Sequence, residues 1–597
     1  MRLRIGVGRV IMLIALGVVG LQLLWVQSIS APALSAQAAS QRTTKEPDAA
    51  LRGAITDRNG TKLAFTVSAK ALTFQPNPVR KQLAEAKATN PKAPDPEQRL
   101  DAIATAIHDT LGKAAPSKQE LLAKMHSDST FVYLARSVDS AIASAVTDRY
   151  DEVGADREDV REYPGGPLAA NVLGATGWDG HGQIGLESSM DSILAGTDGS
   201  QTYDRGSDGA VIPGSWRDKQ DAVNGHTVEL TLDSDLQYYT QQQVQQAKEM
   251  SGAQGASAVV LDAKTGQVLA MANDSTFDPA QNPKTWGDSD MGNPSVSDPF
   301  EPGSVNKIIT AAASIEYGLT DPDEVHQVPG SIQMSGVTVN DAWVHGVAPY
   351  TTTGIFGKSS NVGTLMLAQR VGEDRYADMI KRFGLGQRTG VGLPGESGGQ
   401  VPSRDQWSGG TFANLPIGQG LSMTTLQMTG MYQAIANDGV RIPPRIVKTD
   451  VAPDGSRTDE PQPDGIRVVS SQTAATLRTM FQSVLQNDPT GLQSGTGATG
   501  AVEGYRIAGK TGTAQKIDPN CGCYSSDSYW ITFAGIAPAD NPRYVVGLML
   551  DDPVRSSDGS GGQSAAPLFH NIASWALQRD RIPPSPGTAP EFVLQAP

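Results

Sequence analysis

The sequence predicts an α+β protein of several domains, and three observations support this fold class. The chain has 597 residues, enough for two to four domains at about 100–200 residues each. Short stretches with strand-like alternation occur among stretches of helical periodicity along most of the chain. Glycine and proline contribute 64 and 38 residues, above their average share of about 12%, so we expect many turns between these elements.

The overall composition excludes some classes of function. Lys and Arg total 48, and Asp and Glu total 63, which gives a formal net charge of −15. Proteins that bind nucleic acids depend on basic groups that neutralise phosphates, so we expect no nucleic-acid partner. Hydrophobic residues make up 39% of the chain, too many for global disorder. An enzyme or an extracytoplasmic domain fits this composition.

The cysteines and histidines do not indicate a metal site. Cys521 and Cys523 form a C-x-C pair without a second ligand pair, and the seven histidines are scattered singly. The two cysteines are either a disulfide clip in an oxidising compartment or two thiols in a surface loop. We expect no metal and no cofactor.

An apolar run near the N-terminus predicts where the protein works. Residues 10–26 are apolar apart from Gln22 and follow three arginines. The run nearly spans a hydrocarbon layer, and the basic residues place the N-terminus in the cytoplasm. A cleaved signal peptide with a small-residue site at 36–38 is the alternative, but the run exceeds the roughly 7–15 residues of a signal peptide's apolar region. We therefore expect a single-pass anchor in the cell membrane, with most of the chain extracytoplasmic.

The remaining chain divides by composition and periodicity. Residues 28–50 are rich in Ala, Ser and Gln, as in a flexible stalk, and the proline-rich residues 581–597 resemble a disordered tail. Periodicity is stronger beyond a predicted boundary at 215–222. The expected division is a cytoplasmic tail 1–9, a transmembrane anchor 10–27, a stalk 28–50, a loop-rich α+β domain 51–215, a second domain 222–580 and a disordered tail 581–597.

Individual elements can be predicted in both domains. In the first, the pattern indicates strands at 53–56 and 71–74 and helices at 100–111 and 120–125. In the second, it indicates a strand at 227–232, a helix at 235–250, and a hairpin of strands 256–262 and 267–271.

Ser304 and Lys307 form an S-x-x-K motif at the predicted start of a helix. Pro-Gly at 302–303 ends any preceding helix, and the apolar run 308–313 begins a new one. Ser304 would have a free backbone N–H there, and Lys307 would lie on the same face. An activated serine needs such a base and a donor for the oxyanion. For this motif alone, a capping serine beside a solvated lysine is the alternative.

Two more motifs follow in sequence order. Ser359-Ser360-Asn361 is an S-x-N, and Lys510-Thr511-Gly512-Thr513 is a K-T-G followed by threonine, with a predicted antiparallel partner strand at 529–535. S-x-x-K, S-x-N and K-T-G together are typical of penicillin-binding proteins and class A β-lactamases. Lys264-Thr265-Gly266 precedes the serine and lies in the predicted hairpin turn, and the S-x-N at 304–306 overlaps the first motif, so neither forms a second site.

Further strings identify a family resemblance. These are RGAITDRNG at 52–60, GQIGLE at 182–187, GLGQRTGVGLPGE at 384–396 and IGQG at 417–420. With the three motifs, they resemble class B penicillin-binding proteins, most closely the division-specific FtsI-like peptidoglycan D,D-transpeptidases. The likeness runs from the anchor to about residue 580, and the CGCY loop at 521–524 is similar to actinobacterial members.

The resemblance implies a fold and a nucleophile. The second domain would be a serine β-lactamase-like transpeptidase domain, an antiparallel sheet flanked by helices, and the first a pedestal of the penicillin-binding protein dimerisation type. Ser304 would attack the D-Ala-D-Ala donor of a peptidoglycan stem peptide, with Lys307 as base and then acid. Ser359 would relay a proton, and Asn361 would orient Lys307 and the substrate amide.

The third motif would bind the substrate. Lys510 would add positive charge that helps keep Lys307 neutral and would attract the substrate's terminal carboxylate. Thr511 and Thr513 would bind that carboxylate and the donor strand on either side of Gly512. The N–H groups of Ser304 and Thr513 would form the oxyanion hole. β-Lactam antibiotics would acylate the same serine.

Other functions remain as alternatives. A class A β-lactamase would need a glutamate with an asparagine four residues on, and no glutamate between 361 and 510 has one. A D,D-carboxypeptidase is the nearer enzymatic alternative. A non-catalytic β-lactam sensor or divisome scaffold is the alternative from another class. For the transpeptidase, the resemblance implies a polytopic membrane glycosyltransferase and other division proteins as partners, at the division septum.

Overall fold

The computed structural model describes residues 2–29, 35, 40, 42–206, 210–287, 291–554 and 561–597. They fall into two compact units, Met1–Arg52 with Ala195–Gly225, and Gly53–Leu194 with His226–Pro597.

Strands occur along most of the described chain. In chain order they are β1 (Thr43–Asp48), β2 (Ile55–Thr56), β3 (Lys62–Phe74), β4 (Val132–Asp139), β5 (Val153–Glu162), β6 (Ala175–Thr176), β7 (Gly182–Ile184), β8 (Gly199–Asp204), β9 (Arg217–Gln220), β10 (Thr227–Leu230), β11 (Gly255–Asp262), β12 (Val268–Asn273), β13 (Val325–Val328), β14 (Ser331–Met334), β15 (Val337–Asn340), β16 (Ala348–Thr351), β17 (Val440–Arg441), β18 (Val447–Val451), β19 (Arg457–Asp459), β20 (Ile466–Arg467), β21 (Ala508–Ile517), β22 (Tyr524–Ala537) and β23 (Tyr544–Asp551).

Helices separate many of these strands. The α-helices are α1 (Arg2–Leu24), α2 (Pro76–Thr89), α3 (Pro96–Leu111), α4 (Lys118–Met125), α5 (Ser140–Thr147), α6 (Ala170–Leu173), α7 (Gly185–Ser189), α8 (Asp191–Leu194), α9 (Ser234–Ser251), α10 (Pro294–Ser297), α11 (Lys307–Glu316), α12 (Thr352–Gly357), α13 (Asn361–Val371), α14 (Glu373–Arg382), α15 (Gly409–Asn414), α16 (Thr425–Ala436), α17 (Ser471–Met480) and α18 (Gly561–Arg579). Shorter 3₁₀ turns include Gly303–Asn306 and Phe481–Leu485.

The first unit contains α1 and a three-stranded sheet. The span Leu3–Ser28 is long and apolar enough to cross a membrane, by length and composition. The helix already begins at Arg2, so most of the predicted tail 1–9 is helical, because its residues include no proline to stop the helix. The predicted cleavage site at 36–38 lies outside the described residues.

The prediction of a flexible stalk is wrong for residues 43–48. They form β1, which pairs antiparallel with β8, and β9 adds to the other side of β8. The pairing partner lies far along the chain, so the composition of the segment alone does not reveal it.

In the second unit, one sheet crosses the boundary predicted at 215–222. Its strand order is β19-β18-β10-β2-β3-β4, with β5 also paired to β3. β10 lies beside β2 in parallel, with Val228 opposite Ile55. Strands from the predicted pedestal and from the predicted second domain therefore share main-chain hydrogen bonds.

The second unit also contains an antiparallel sheet of order β12-β11-β23-β22-β21. Gly535 on β22 lies opposite Val546 on β23, and a Cβ at Gly535 would contact Phe569 of α18. A Cβ at Gly547, the next residue on β23, would contact Thr429 of α16. Because successive strand residues face opposite sides, α18 and α16 cover the two faces.

The predicted elements of this sheet region are confirmed. Strand 227–232, helix 235–250 and the hairpin at 256–271 correspond to β10, α9 and the β11–β12 pair. Lys264-Thr265-Gly266 forms the hairpin turn, where the Asp262 carboxylate accepts hydrogen bonds from the backbone N–H groups of Lys264 and Thr265.

The prediction of a disordered tail at 581–597 is not met by the structure. Leu594 is fully buried, and Gln595 bridges to Tyr350 of β16. Proline content predicted disorder, but the backbone of this segment pairs with a strand that the composition does not reveal.

Candidate active site

The nucleophile candidate Ser304 lies in the 3₁₀ turn Gly303–Asn306, directly before α11. The predicted helix start is therefore displaced by one short turn. The turn packs on the K-T-G strand, since a Cβ at Gly303 would lie 2.6 Å from the carbonyl oxygen of Thr513. Thr532 of the neighbouring strand donates to the carbonyl oxygen of Pro302 at 3.0 Å. The first and third motifs are thus in direct contact.

Lys307 joins the first motif to the second. Its side chain is fully buried, and its Nζ donates to the Ser359 carbonyl oxygen at 2.6 Å, to Ser359 Oγ at 3.2 Å and to Asn361 Oδ1 at 2.7 Å. Among the described residues, the Ser304 hydroxyl is not one of its hydrogen-bond partners. The S-x-N motif therefore holds the Lys307 amine. Lys307 itself lies about one helical turn after Ser304.

Burial sets the protonation of this amine. Removal from water lowers the pKa of Lys307 to about 7, and the nearby Asp341 charge acts in the opposite direction by raising it. A lysine with a pKa near 7 is partly neutral at neutral pH, as a general base requires.

The S-x-N motif is held in an unusual backbone conformation. Ser359 has φ +62°, in the left-handed region that L-residues rarely adopt. Asp341 fixes the following turn, since its carboxylate accepts from Ser360 Oγ at 2.7 Å and from the Val362 N–H at 3.0 Å. Asn361 donates to the Asn340 carbonyl oxygen at 2.9 Å, which directs its amide oxygen to Lys307.

The K-T-G motif lies on β21, an edge strand of the five-stranded sheet. Lys510 is fully buried and donates to the Thr511 carbonyl oxygen at 3.0 Å. Burial and the Lys307 charge lower the pKa of Lys510 well below its ordinary value. A Cβ at Gly512 would meet Thr532 Oγ1 at 2.0 Å, so only glycine fits there. Two amines thus share one buried region.

The comparisons with known proteins agree with this geometry. Residues 256–574 match the penicillin binding protein transpeptidase domain, and residues 47–230 match the penicillin-binding protein dimerisation domain. The first match covers more than half of the chain. The chain belongs to the penicillin-binding protein family.

Relatives cover nearly all of this penicillin-binding protein. It is 65% identical over 589 residues to penicillin-binding protein PbpB of Mycobacterium tuberculosis, covering 99% of this chain and 87% of the relative. It is 32% identical over 577 residues to peptidoglycan D,D-transpeptidase FtsI of Escherichia coli, covering 96% and 91%. The crystal structure of penicillin binding protein 3 from M. tuberculosis with ampicillin matches at a TM-score of 0.74 and 57% identity, covering 92% of this chain and all of that chain. The predicted family and fold class are confirmed.

Some residues of this site were not predicted from the sequence. Asp341 supports the S-x-N turn, and Thr496 Oγ1 lies 2.6 Å from Thr511 Oγ1. Glu301 accepts from the Gly420 N–H at 2.9 Å, and burial raises the pKa of its carboxyl. Glu301 directly precedes Pro302-Gly303, so its place beside the first motif could have identified it as a candidate. Asp341 and Thr496 belong to no recognised motif and could not be found in this way.

A disulfide joins Cys521 and Cys523 in the loop between β21 and β22. Of the two alternatives for this pair, a disulfide clip or two free thiols, the structure shows the disulfide. Among the described residues, no group of three or more His, Cys, Asp or Glu side chains is arranged to hold a metal ion.

Proposed function

We propose that this penicillin-binding protein is a serine D,D-transpeptidase that cross-links peptidoglycan stem peptides during septal wall synthesis, and that β-lactams acylate it at Ser304. The observation that carries the proposal is the buried Lys307 amine, with a pKa of about 7. It is held between Ser359 and Asn361, one turn from a serine whose own turn packs on the K-T-G strand.

In acylation, the neutral Lys307 amine takes the proton of the Ser304 hydroxyl as Oγ attacks the penultimate D-Ala carbonyl. The negative charge that develops on the carbonyl oxygen is stabilised by the backbone N–H groups of Ser304 and Thr513. Collapse of the tetrahedral intermediate breaks the peptide bond, and the terminal D-Ala leaves as an amine that has gained a proton. The serine ester remains.

Ser359 is suited to the proton transfer to the leaving amine. Its Oγ accepts a hydrogen bond from Lys307 Nζ at 3.2 Å, so a proton can pass from the ammonium through this hydroxyl. Asn361 keeps Lys307 in place while its backbone is fixed by the helix that begins there. In the second half-reaction, an amine of a neighbouring stem peptide attacks the ester carbonyl, and Lys307 accepts the proton of that amine. The bond between the acyl carbon and Ser304 Oγ then breaks, and Lys307 returns the proton to Oγ as the new peptide bond is completed.

Lys510 is suited to bind the carboxylate of the donor. Burial and Lys307 lower its pKa, so an arriving carboxylate restores the charged form and gains an ion pair in a region with little water. Thr511 and Thr513 offer hydroxyls on the same strand. The ring carboxylate of a β-lactam would occupy the same place.

The remaining parts of the chain support placement at the membrane. The apolar span Leu3–Ser28 would anchor the protein with its N-terminus in the cytoplasm. The region matched to the dimerisation domain would raise the transpeptidase domain towards the wall and offer surface to a polytopic glycosyltransferase and other division proteins. The relative named FtsI supports the septum as the place of action.

Covalent labelling with a fluorescent penicillin tests this function. The wild-type protein should be labelled, and Ser304→Ala should not, while both remain folded by circular dichroism. Labelling that survives Ser304→Ala would refute Ser304 as nucleophile. Purified protein supplied with donor and acceptor stem peptides should form the cross-linked dimer, and release of D-Ala without any dimer would instead favour the D,D-carboxypeptidase.

A further inference from the structure

The segment Phe592–Ala596 lies outside the matched transpeptidase domain, which ends at residue 574. We propose that this segment is a strap that positions the S-x-N and K-T-G motifs for catalysis, with Leu594 as its positioning residue. The inference rests on the roles proposed above for those motifs.

The strap is bound along β16 and the start of α12. Leu594 accepts from the Thr351 N–H at 3.1 Å, Val593 accepts from Thr351 Oγ1 at 2.6 Å, and the Ala596 N–H donates to Pro349 at 2.8 Å. Thr351 Oγ1 also accepts from the Gly354 N–H at 2.8 Å, so the same hydroxyl that caps α12 holds the strap. Helix α12 ends at Gly357, two residues before Ser359.

Leu594 packs against two glycines of α12, with its backbone close to Gly354 and its side chain close to Gly357. A Cβ at Gly354 would lie 1.8 Å from the Leu594 carbonyl oxygen, and a Cβ at Gly357 would lie 3.2 Å from Leu594 Cδ2. Leu594 is fully buried, whereas its neighbour Val593 is 55% exposed. The buried side chain of Leu594 therefore fixes the strap against α12, the helix that directly precedes the S-x-N motif.

The other edge of the strap is bound to the loop that precedes the K-T-G motif. Gln486 exchanges two hydrogen bonds with the backbone of Phe592, at 2.8 and 3.0 Å. Gln493 accepts from the Leu594 N–H at 2.6 Å and donates to the Gln595 carbonyl oxygen at 2.9 Å. This loop continues to Thr496.

The strap thus connects the supports of two motifs. Thr496 bonds Thr511 of the K-T-G motif at 2.6 Å, and Lys358, beside Ser359, donates to the Gly491 carbonyl oxygen at 2.7 Å. Ser359 and Asn361 in turn hold Lys307. Without the strap, the helix ahead of S-x-N and the loop ahead of K-T-G keep the Lys358–Gly491 bond but lose the segment that binds both. The two motifs that surround the buried amines would then shift relative to each other.

The test measures the acylation rate of the full chain by a fluorescent penicillin as a function of pH. Leu594→Ala and a chain ending after Glu591 should acylate about 10- to 100-fold more slowly, the range expected for small misplacements in an active site. Leu594→Met should retain most of the rate. Gly354→Ala, which excludes the strap without altering it, should reproduce the loss.

Two controls separate positioning from loss of structure. Val593→Ala keeps the strap backbone, and Gly430→Ala adds a methyl group to a helix where nothing lies within 4 Å; both should acylate like wild type. The rates are measured below the unfolding transition and corrected by active-site titration.

The pH midpoint of acylation should rise in the strap variants. Water that reaches Lys307 would remove part of the burial that lowers its pKa. Asp341 and Lys510 are the charged groups that face Lys307.

The proposal is overturned if Leu594→Ala and Gly354→Ala acylate at the wild-type rate with the wild-type pH midpoint. It is equally overturned if their rates fall only in proportion to the unfolded fraction. Failure of wild type to acylate would instead refute the proposed function, so the two outcomes are distinguishable.

Discussion

The pH dependence of acylation gives the sharpest test of the site. A lysine acts as a base only when neutral, and burial lowers the pKa of Lys307 to about 7. The neutral fraction is then about one tenth at pH 6 and about nine tenths at pH 8. The second-order rate constant for acylation should therefore rise about tenfold over this range, with a midpoint near pH 7. An exposed lysine would give a midpoint near its ordinary value of about 10.4.

The assay is stopped-flow acylation with a penicillin whose carboxylate stays ionised throughout. Asp341→Asn provides the second arm: its carboxylate raises the pKa of Lys307, so removing the charge should move the midpoint to lower pH while the amide keeps the shape of the group. Ser304→Ala supplies the zero-rate baseline. A rate that is flat between pH 6 and 8 would refute the assignment of Lys307 as base, and an upward shift in Asp341→Asn would refute the role given to that carboxylate.

Four further predictions concern single sites. Ser359→Ala should slow acylation by about 100-fold or more in rapid-quench measurements, since Lys307 keeps its bond to the residue 359 carbonyl but loses the relay hydroxyl. Gly303→Ala should reduce penicillin labelling at least about tenfold, because φ is +61° and a Cβ would lie 2.6 Å from the Thr513 carbonyl oxygen. Arg161→Met should lower the free energy of unfolding in urea by about 3–5 kcal/mol, because it leaves the fully buried Glu187 carboxylate without its 2.8 Å partner. Replacing both residues of the exposed Cys521–Cys523 disulfide by serine should leave the acylation rate within about twofold of wild type, since the bridge closes only a very short loop.

Candidate site residues could be predicted from the order of the three motifs, but the contacts that hold these residues could not. Ser304, Lys307 and Lys510 could be chosen because each belongs to a short motif with a chemical reason for its residue types. Asp341 could not, because its partners Ser360 and Val362 lie about twenty residues away and no local pattern connects them.

Local periodicity predicted elements well where the partner was near in sequence. The hairpin of β11 and β12 is an example, since its turn at 263–267 is contained in the pattern. Pairings between distant segments were missed: β1 with β8, and the 592–596 strap with β16. Composition suggested disorder for both segments, because alanine, serine and proline content reports on the isolated chain and not on a partner strand elsewhere.

The site buries two lysine amines in one region, and this burial lowers the pKa of both. Burial is the largest cause for both, and the charge of Lys307 further lowers the pKa of Lys510. Burying two amines costs stability when no carboxylate is bonded to them. Asp341 is the carboxylate of the described residues whose charge acts on Lys307, and it bonds Ser360 instead. In the proposed function, an anionic substrate would relieve this cost when it binds, because its carboxylate would charge Lys510 while Lys307 stays neutral to act as base. The proposal therefore predicts selectivity for a ligand with a free carboxylate from the same burial that would make Lys307 a base for Ser304.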